Sequence, residues 1–104
     1  GVAPVKAIVR VRGTDAAFAC ANANAFGLAA AVFGRDLARA WQVAGRIQSG
    51  ICHINGPTVH DEAQMPFGGV KDSGWGRFGG QAGIEAFTEL RWTTMQTAPR
   101  HSPF

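Results

Sequence analysis

Hydrophobic and polar positions along this chain alternate between two periods, and the change of period marks its elements. Val5-Lys6-Ala7-Ile8-Val9-Arg10-Val11-Arg12 is apolar and partly alternating, which predicts a strand behind Pro4. Gly13 breaks it, and Thr14 and Asp15 supply a capping oxygen and a negative first turn for a helix running to about Ala25. Phe18, Ala21 and Ala25 share the helix's apolar face. Leu28 to Phe33 is a continuous apolar run, too short for a free-standing helix and suited to a buried strand. Asp36 then caps a helix with Leu37, Ala40, Trp41, Ala44 and Ile47 on one face and Arg39, Gln42 and Arg46 on the other. Ser49-Gly50 ends it, and Ile51-Cys52-His53-Ile54 reads as a short strand.

From Asn55 to Gly80 the pattern dissolves into a long loop dense in glycine. Loops of this length are functional or disordered, and Phe67, Trp75 and Phe78 inside it argue against disorder. Gln81 to Leu90 predicts a helix with Ile84 and Phe87 inward. Arg91 to Met95 predicts a last strand, followed by a fraying tail from Ala98. The order β-α-β-α-β-loop-α-β belongs to the α/β class, with helices crossing over between parallel strands.

Composition narrows the function. The chain has 104 residues, 46% hydrophobic and 16% charged, with 14 glycines and a net charge of +3. It holds one domain or part of one, and its start at Gly1 predicts a piece of something longer. No apolar run approaches the ~18 residues of a membrane span, and no signal-like stretch opens the chain. The Lys and Arg residues are scattered rather than clustered, which excludes a nucleic-acid footprint. Two cysteines are too few for a disulfide framework and suggest free thiols in a reducing, cytoplasmic setting.

Several motifs fail as chemistry. Gly74-Trp75-Gly76-Arg77-Phe78-Gly79 matches G-x-G-x-x-G, but no strand leads into it and no acid stands about 20 residues on to hold a ribose, the last being Glu89. Cys52 and His53 are strand neighbours whose side chains point to opposite faces, so neither serves the other as nucleophile and base. The three histidines have no metal-ligand spacing. His60-Asp61-Glu62 reads first as a solvated loop tip and second as a polar acid/base group. Phe67, between Pro66 and Gly68-Gly69, either lines an apolar pocket or packs in a core.

A resemblance goes further. Met65-Pro66-Phe67-Gly68-Gly69-Val70-Lys71-Asp72-Ser73-Gly74-Trp75-Gly76-Arg77 resembles the PFGG-x-K-x-SG-x-GR signature of aldehyde dehydrogenases, and Asn22 to Phe33 resembles that family's N-x-x-x-(Tyr/Phe)-G-L-(A/S)-A-x-V-F element. Both stand in the family's order, within a match from about Pro4 to Met95. Gly50 to Met65 and Glu89-Leu90-Arg91-Trp92 are similar to the subgroup acting on aromatic aldehydes such as salicylaldehyde, benzaldehyde and vanillin.

The resemblance implies the C-terminal segment of an NAD- or NADP-dependent enzyme that oxidises aldehydes to carboxylic acids. Residues 1–90 would belong to a three-layer α/β catalytic domain, 91–97 to an oligomerisation strand of a homodimer or homotetramer, and 98–104 to a tail. In the complete enzyme a thiolate adds to the aldehyde, hydride leaves to the cofactor, and activated water releases the acid. The nucleophile and the water-activating glutamate would lie upstream of this chain, so no residue here is assigned as catalytic. Val2-Ala3-Pro4 stands where the family's cofactor-contacting motif has Phe-Gly-Pro, so none is assigned to the cofactor. Phe67 would line the aldehyde tunnel, with Thr58, His60 and Asp61 in the loop at its mouth. The alternative is a truncated, non-catalytic module that associates through its last strand.

Overall fold

The computed structural model describes residues 5–102. The Pro4 entry, the Val2-Ala3-Pro4 comparison and the last two tail positions lie outside them. Its elements are α1 (Thr14–Asn22), β1 (Phe26–Gly27), β2 (Ala29–Val32), α2 (Leu37–Ala44), β3 (Ile51–Ile54), β4 (Val70–Lys71) and α3 (Gly80–Ala86).

The β2-α2-β3 unit follows the apolar pattern. β2 and β3 pair in parallel, Ala29 opposite Ile51 through Val32 opposite Ile54, with α2 as the crossover. The Asp36 side chain caps α2 by accepting from the Arg39 amide at 3.1 Å. Ala40 is buried on the inner face of α2. Asn55, at φ 57°, closes the far end of the unit. Its Oδ1 accepts from the Gly34 amide at 2.9 Å, and its Nδ2 donates to the Gly34 carbonyl at 3.0 Å. Helix α1 is joined to the segment after α2 by Phe18, whose buried ring lies 3.8 Å beneath the Arg46 guanidinium. Arg46 also reaches Asp15 at 3.5 Å.

The glycine-dense loop is folded. Val70 and Lys71 return to pair antiparallel with Gly27 and Phe26, and Phe67 and Phe78 bridge each other through hydrogen bonds of 2.7 and 2.8 Å. This second small sheet was not visible in the pattern, because each strand is only two residues long.

Four expectations change. Helix α1 begins after Gly13 with no side-chain cap, so Thr14 lies inside its first turn rather than capping it, while Asp15 stands in that first turn as expected; the helix stops at Asn22, short of Ala25. The segments 5–11 and 91–96 carry no strand among the described residues, since neither has a partner for its backbone groups. Ile84 and Phe87 are exposed, at 62% and 87%, rather than inward, and α3 buries none of its residues. The radius of gyration is 21.5 Å, against about 13 Å for a compact chain of this length.

Candidate functional site

Three cavities meet at Phe67. The first, about 360 Å³, is lined by Gly50, Ile51, Cys52 and His53 of the β3 region together with His60, Asp61, Glu62 and Met65-Pro66-Phe67 from the loop. The second, about 290 Å³, adds Thr58, Val59, Leu28 and Ala29 around His60, Asp61 and Phe67. A third, about 500 Å³, lies beyond Phe67 against Phe78, Trp75 and the glycines. Binding sites for small ligands commonly span about 300–1,000 Å³. The four residues singled out from the resemblance, Thr58, His60, Asp61 and Phe67, thus stand around one space. Phe67 keeps 37% of its surface exposed, enough to present its ring.

The loop is held in place by backbone contact and by its polar residues. Gly50 lies so close to Gly68 that a Cβ at Gly50 would collide with the Gly68 carbonyl oxygen and come within 2.8 Å of the Gly69 Cα. Gly79, at φ 91°, lies against the Met65 carbonyl with no space for a side chain. Ser73 Oγ accepts from the Gly27 amide at 2.8 Å, and Lys71 Nζ donates to the carbonyls of Asn22 and Asn24, both at 2.9 Å. Arg77 donates to the Gly69 carbonyl at 2.8 Å. The polar positions of the PFGG-x-K-x-SG-x-GR run are therefore structural clamps. Sequence reasoning missed that role because each partner is a backbone group, and those of Lys71 and Ser73 are distant in the chain.

The cavity also has a polar wall. His53 and His60 meet edge to face, their ring centroids 5.4 Å apart and their planes at 82°. His60 Nε2 lies 3.5 Å from the Glu62 carboxylate, which also accepts from the Gln64 side chain at 3.0 Å. His53 Nε2 is closed off from solvent without a hydrogen-bond partner. Burial pushes the Cys52 thiol up, favouring its neutral form over the thiolate a nucleophile requires. The inward role of His53 was legible only as alternation along β3. Among the described residues no three His, Cys, Asp or Glu side chains gather as metal ligands. No helix there is long and apolar enough to cross a membrane.

A dinucleotide does not fit the glycine run. No strand enters Gly74 and Arg77 fills the turn, while Gly74 and Gly76 belong to the wall of the third cavity rather than to a helix-opening phosphate cradle.

The chain matches the aldehyde dehydrogenase family over residues 2–93. It is 62% identical over 100 residues to a vanillin dehydrogenase of Pseudomonas fluorescens, covering 96% of this chain and 21% of that protein. It resembles the crystal structure of a salicylaldehyde dehydrogenase from Pseudomonas putida G7 complexed with salicylaldehyde, with a TM-score of 0.82 and 47% identity, over 92% of this chain and 20% of that one. It also resembles an aldehyde dehydrogenase C variant from Pseudomonas syringae complexed with NAD⁺ and octanal, with a TM-score of 0.71 and 42% identity, over 78% and 16% of the two chains. The chain spans about a fifth of the length of the curated relatives it matches. With its signature residues serving as the clamps of a folded, cavity-bearing loop, the chain belongs to the aldehyde dehydrogenase family.

Proposed function

We propose that this chain is the C-terminal, substrate-facing part of a longer NAD- or NADP-dependent enzyme that oxidises aromatic aldehydes to carboxylic acids. The observation that carries the reading is Phe67, held half-open by glycines and the Phe78 bridge at the meeting point of the cavities. An aryl ring stacks on such a side chain in offset or edge geometry, which adds about 0.5–1.5 kcal/mol beyond burial. Ile51, Met65 and Pro66 supply the remaining apolar wall, and Thr58, His60 and Asp61 rim the entrance. The vanillin and salicylaldehyde dehydrogenases among its relatives support an aromatic substrate. The NAD⁺ bound to the Pseudomonas syringae relative supports a nicotinamide cofactor.

On this reading the chain's own work is to bind and orient the ring and to keep water from its apolar side. The nucleophilic thiolate and the cofactor site belong to the rest of the enzyme, consistent with the upward shift of the Cys52 thiol by burial and the ill-fitting glycine run. Residues 91–97 form an oligomerisation strand, pairing with another subunit through backbone groups that have no ladder here. Trp92, 92% exposed, becomes covered in that contact.

The test is oxidation of benzaldehyde by the full-length protein that carries this chain. Benzoic acid with matching reduced cofactor is the expected product, and residues 1–104 alone are expected to give none. Turnover by the isolated chain, or none by the full-length protein, overturns the proposal.

A further inference from the structure

The polar wall is the unusual part of this cavity. An imidazole nitrogen shut away from water with no partner is costly, and such atoms need a reason. His53 Nε2 is such an atom, on a residue that lines the first cavity along with Phe67. The one ring packed against His53 is that of His60, half-exposed and steadied through Glu62. Glu62 is in turn fixed by Gln64. The cavity thus combines the apolar side chains of Ile51, Met65, Pro66 and Phe67 with two imidazoles in one lining.

We propose that His53 and His60 read a hydroxyl group on the ring of the aromatic aldehyde, making this pair a specificity determinant. The inference rests on the reading of Phe67 as the substrate wall. A neutral imidazole offers one N–H and one lone pair. A phenolic hydroxyl both donates and accepts, so it satisfies Nε2 in either tautomer, whereas an ether oxygen only accepts and a bare ring does neither. The ring lies against Phe67, its hydroxyl replaces the missing partner of His53, and the half-exposed His60 shifts to admit it. A site built to hydrogen-bond a substrate hydroxyl discriminates against the analogue without one, because its own polar group is then left unpaired.

The experiment uses the full-length protein and four substrates: benzaldehyde and its 2-, 3- and 4-hydroxy derivatives. His53→Phe is expected to lower kcat/KM for at least one hydroxybenzaldehyde about tenfold more than for benzaldehyde, with the difference carried mainly in KM. His53→Gln, which keeps a donor and an acceptor, restores most of the loss. His60→Phe weakens the same substrate by a smaller factor. Equal losses on benzaldehyde and all three hydroxybenzaldehydes, or no loss on any, overturn the assignment of His53 and leave the Phe67 reading standing. Failure of the unaltered protein to oxidise any of the four overturns both.

Discussion

Gly50→Ala adds one methyl group where β3 meets the glycine-dense loop. The new Cβ would collide with the Gly68 carbonyl oxygen and lie 2.8 Å from both the Gly68 carbonyl carbon and the Gly69 Cα, against 3.4 Å where ordinary contact begins. All three obstacles are backbone, so no rotamer change relieves them. The loop must part from β3 by more than about half an ångström, and overpacking of this kind costs about 1–3 kcal/mol. At about 2 kcal/mol, local opening of β3 becomes about 30-fold more frequent. The reporters are the Ile51 amide, which donates to the Leu28 carbonyl at 3.0 Å, and the Asn55 amide, which donates to the Val32 carbonyl at 2.8 Å. Hydrogen exchange of the full-length protein should show their protection falling by that factor. Gly76→Ala is the control, since a Cβ there meets nothing within 4 Å. Its exchange should be unchanged. Equal deprotection by both substitutions, or none by Gly50→Ala, would refute the idea that β3 and the loop are set by backbone contact.

The remaining predictions concern Cys52 and the isolated chain. Because burial raises the Cys52 pKa, its thiolate fraction near neutral pH is below that of an open peptide thiol. Alkylation of Cys52 by iodoacetamide should therefore be several-fold slower than that of a peptide cysteine and keep rising at pH values where the peptide has levelled off; equal rates at pH 7.5 would contradict this. By linkage, the unfolded chain gives up this proton first, so the contribution of Cys52 to stability is present below the ordinary thiol range and lost as pH rises above it. Residues 1–104 alone should be poorly soluble or oligomeric, since Val5, Ile8, Trp41, Leu90 and Trp92 stand exposed and, among the described residues, only Phe18 and Ala40 are buried apolar side chains. A monodisperse, cooperatively melting monomer would count against that.

Local signals and distant ones differed sharply in how legible they were. β2 could be read from an unbroken apolar run, β3 from a short strand-like stretch after Ser49-Gly50, and α2 from its capping aspartate, because those signals are local. The role of Lys71 could not, because it lies in carbonyls of Asn22 and Asn24 that only folding brings near. The pairing of Phe26-Gly27 with Val70-Lys71 was hidden for the same reason. Segments 5–11 and 91–96 have strand-forming composition, yet a strand exists only with a neighbour to bond, and none stands beside them among the described residues. At the site, Phe67 and the His60-Asp61 pair stood out from their own residues with two readings left open, and the resemblance chose between them and added Thr58. The polar wall escaped notice because residues 53 and 60 meet only when the intervening loop doubles back.

Removing the Phe67 ring tests the central claim most directly. In the full-length protein, Phe67→Ala should lower kcat/KM for benzaldehyde by about tenfold, as loss of about 1.4 kcal/mol of ring contact implies. Propanal, which has no ring to stack, should lose less than about threefold. Equal losses for the two aldehydes would remove Phe67 from the substrate wall and contradict the account.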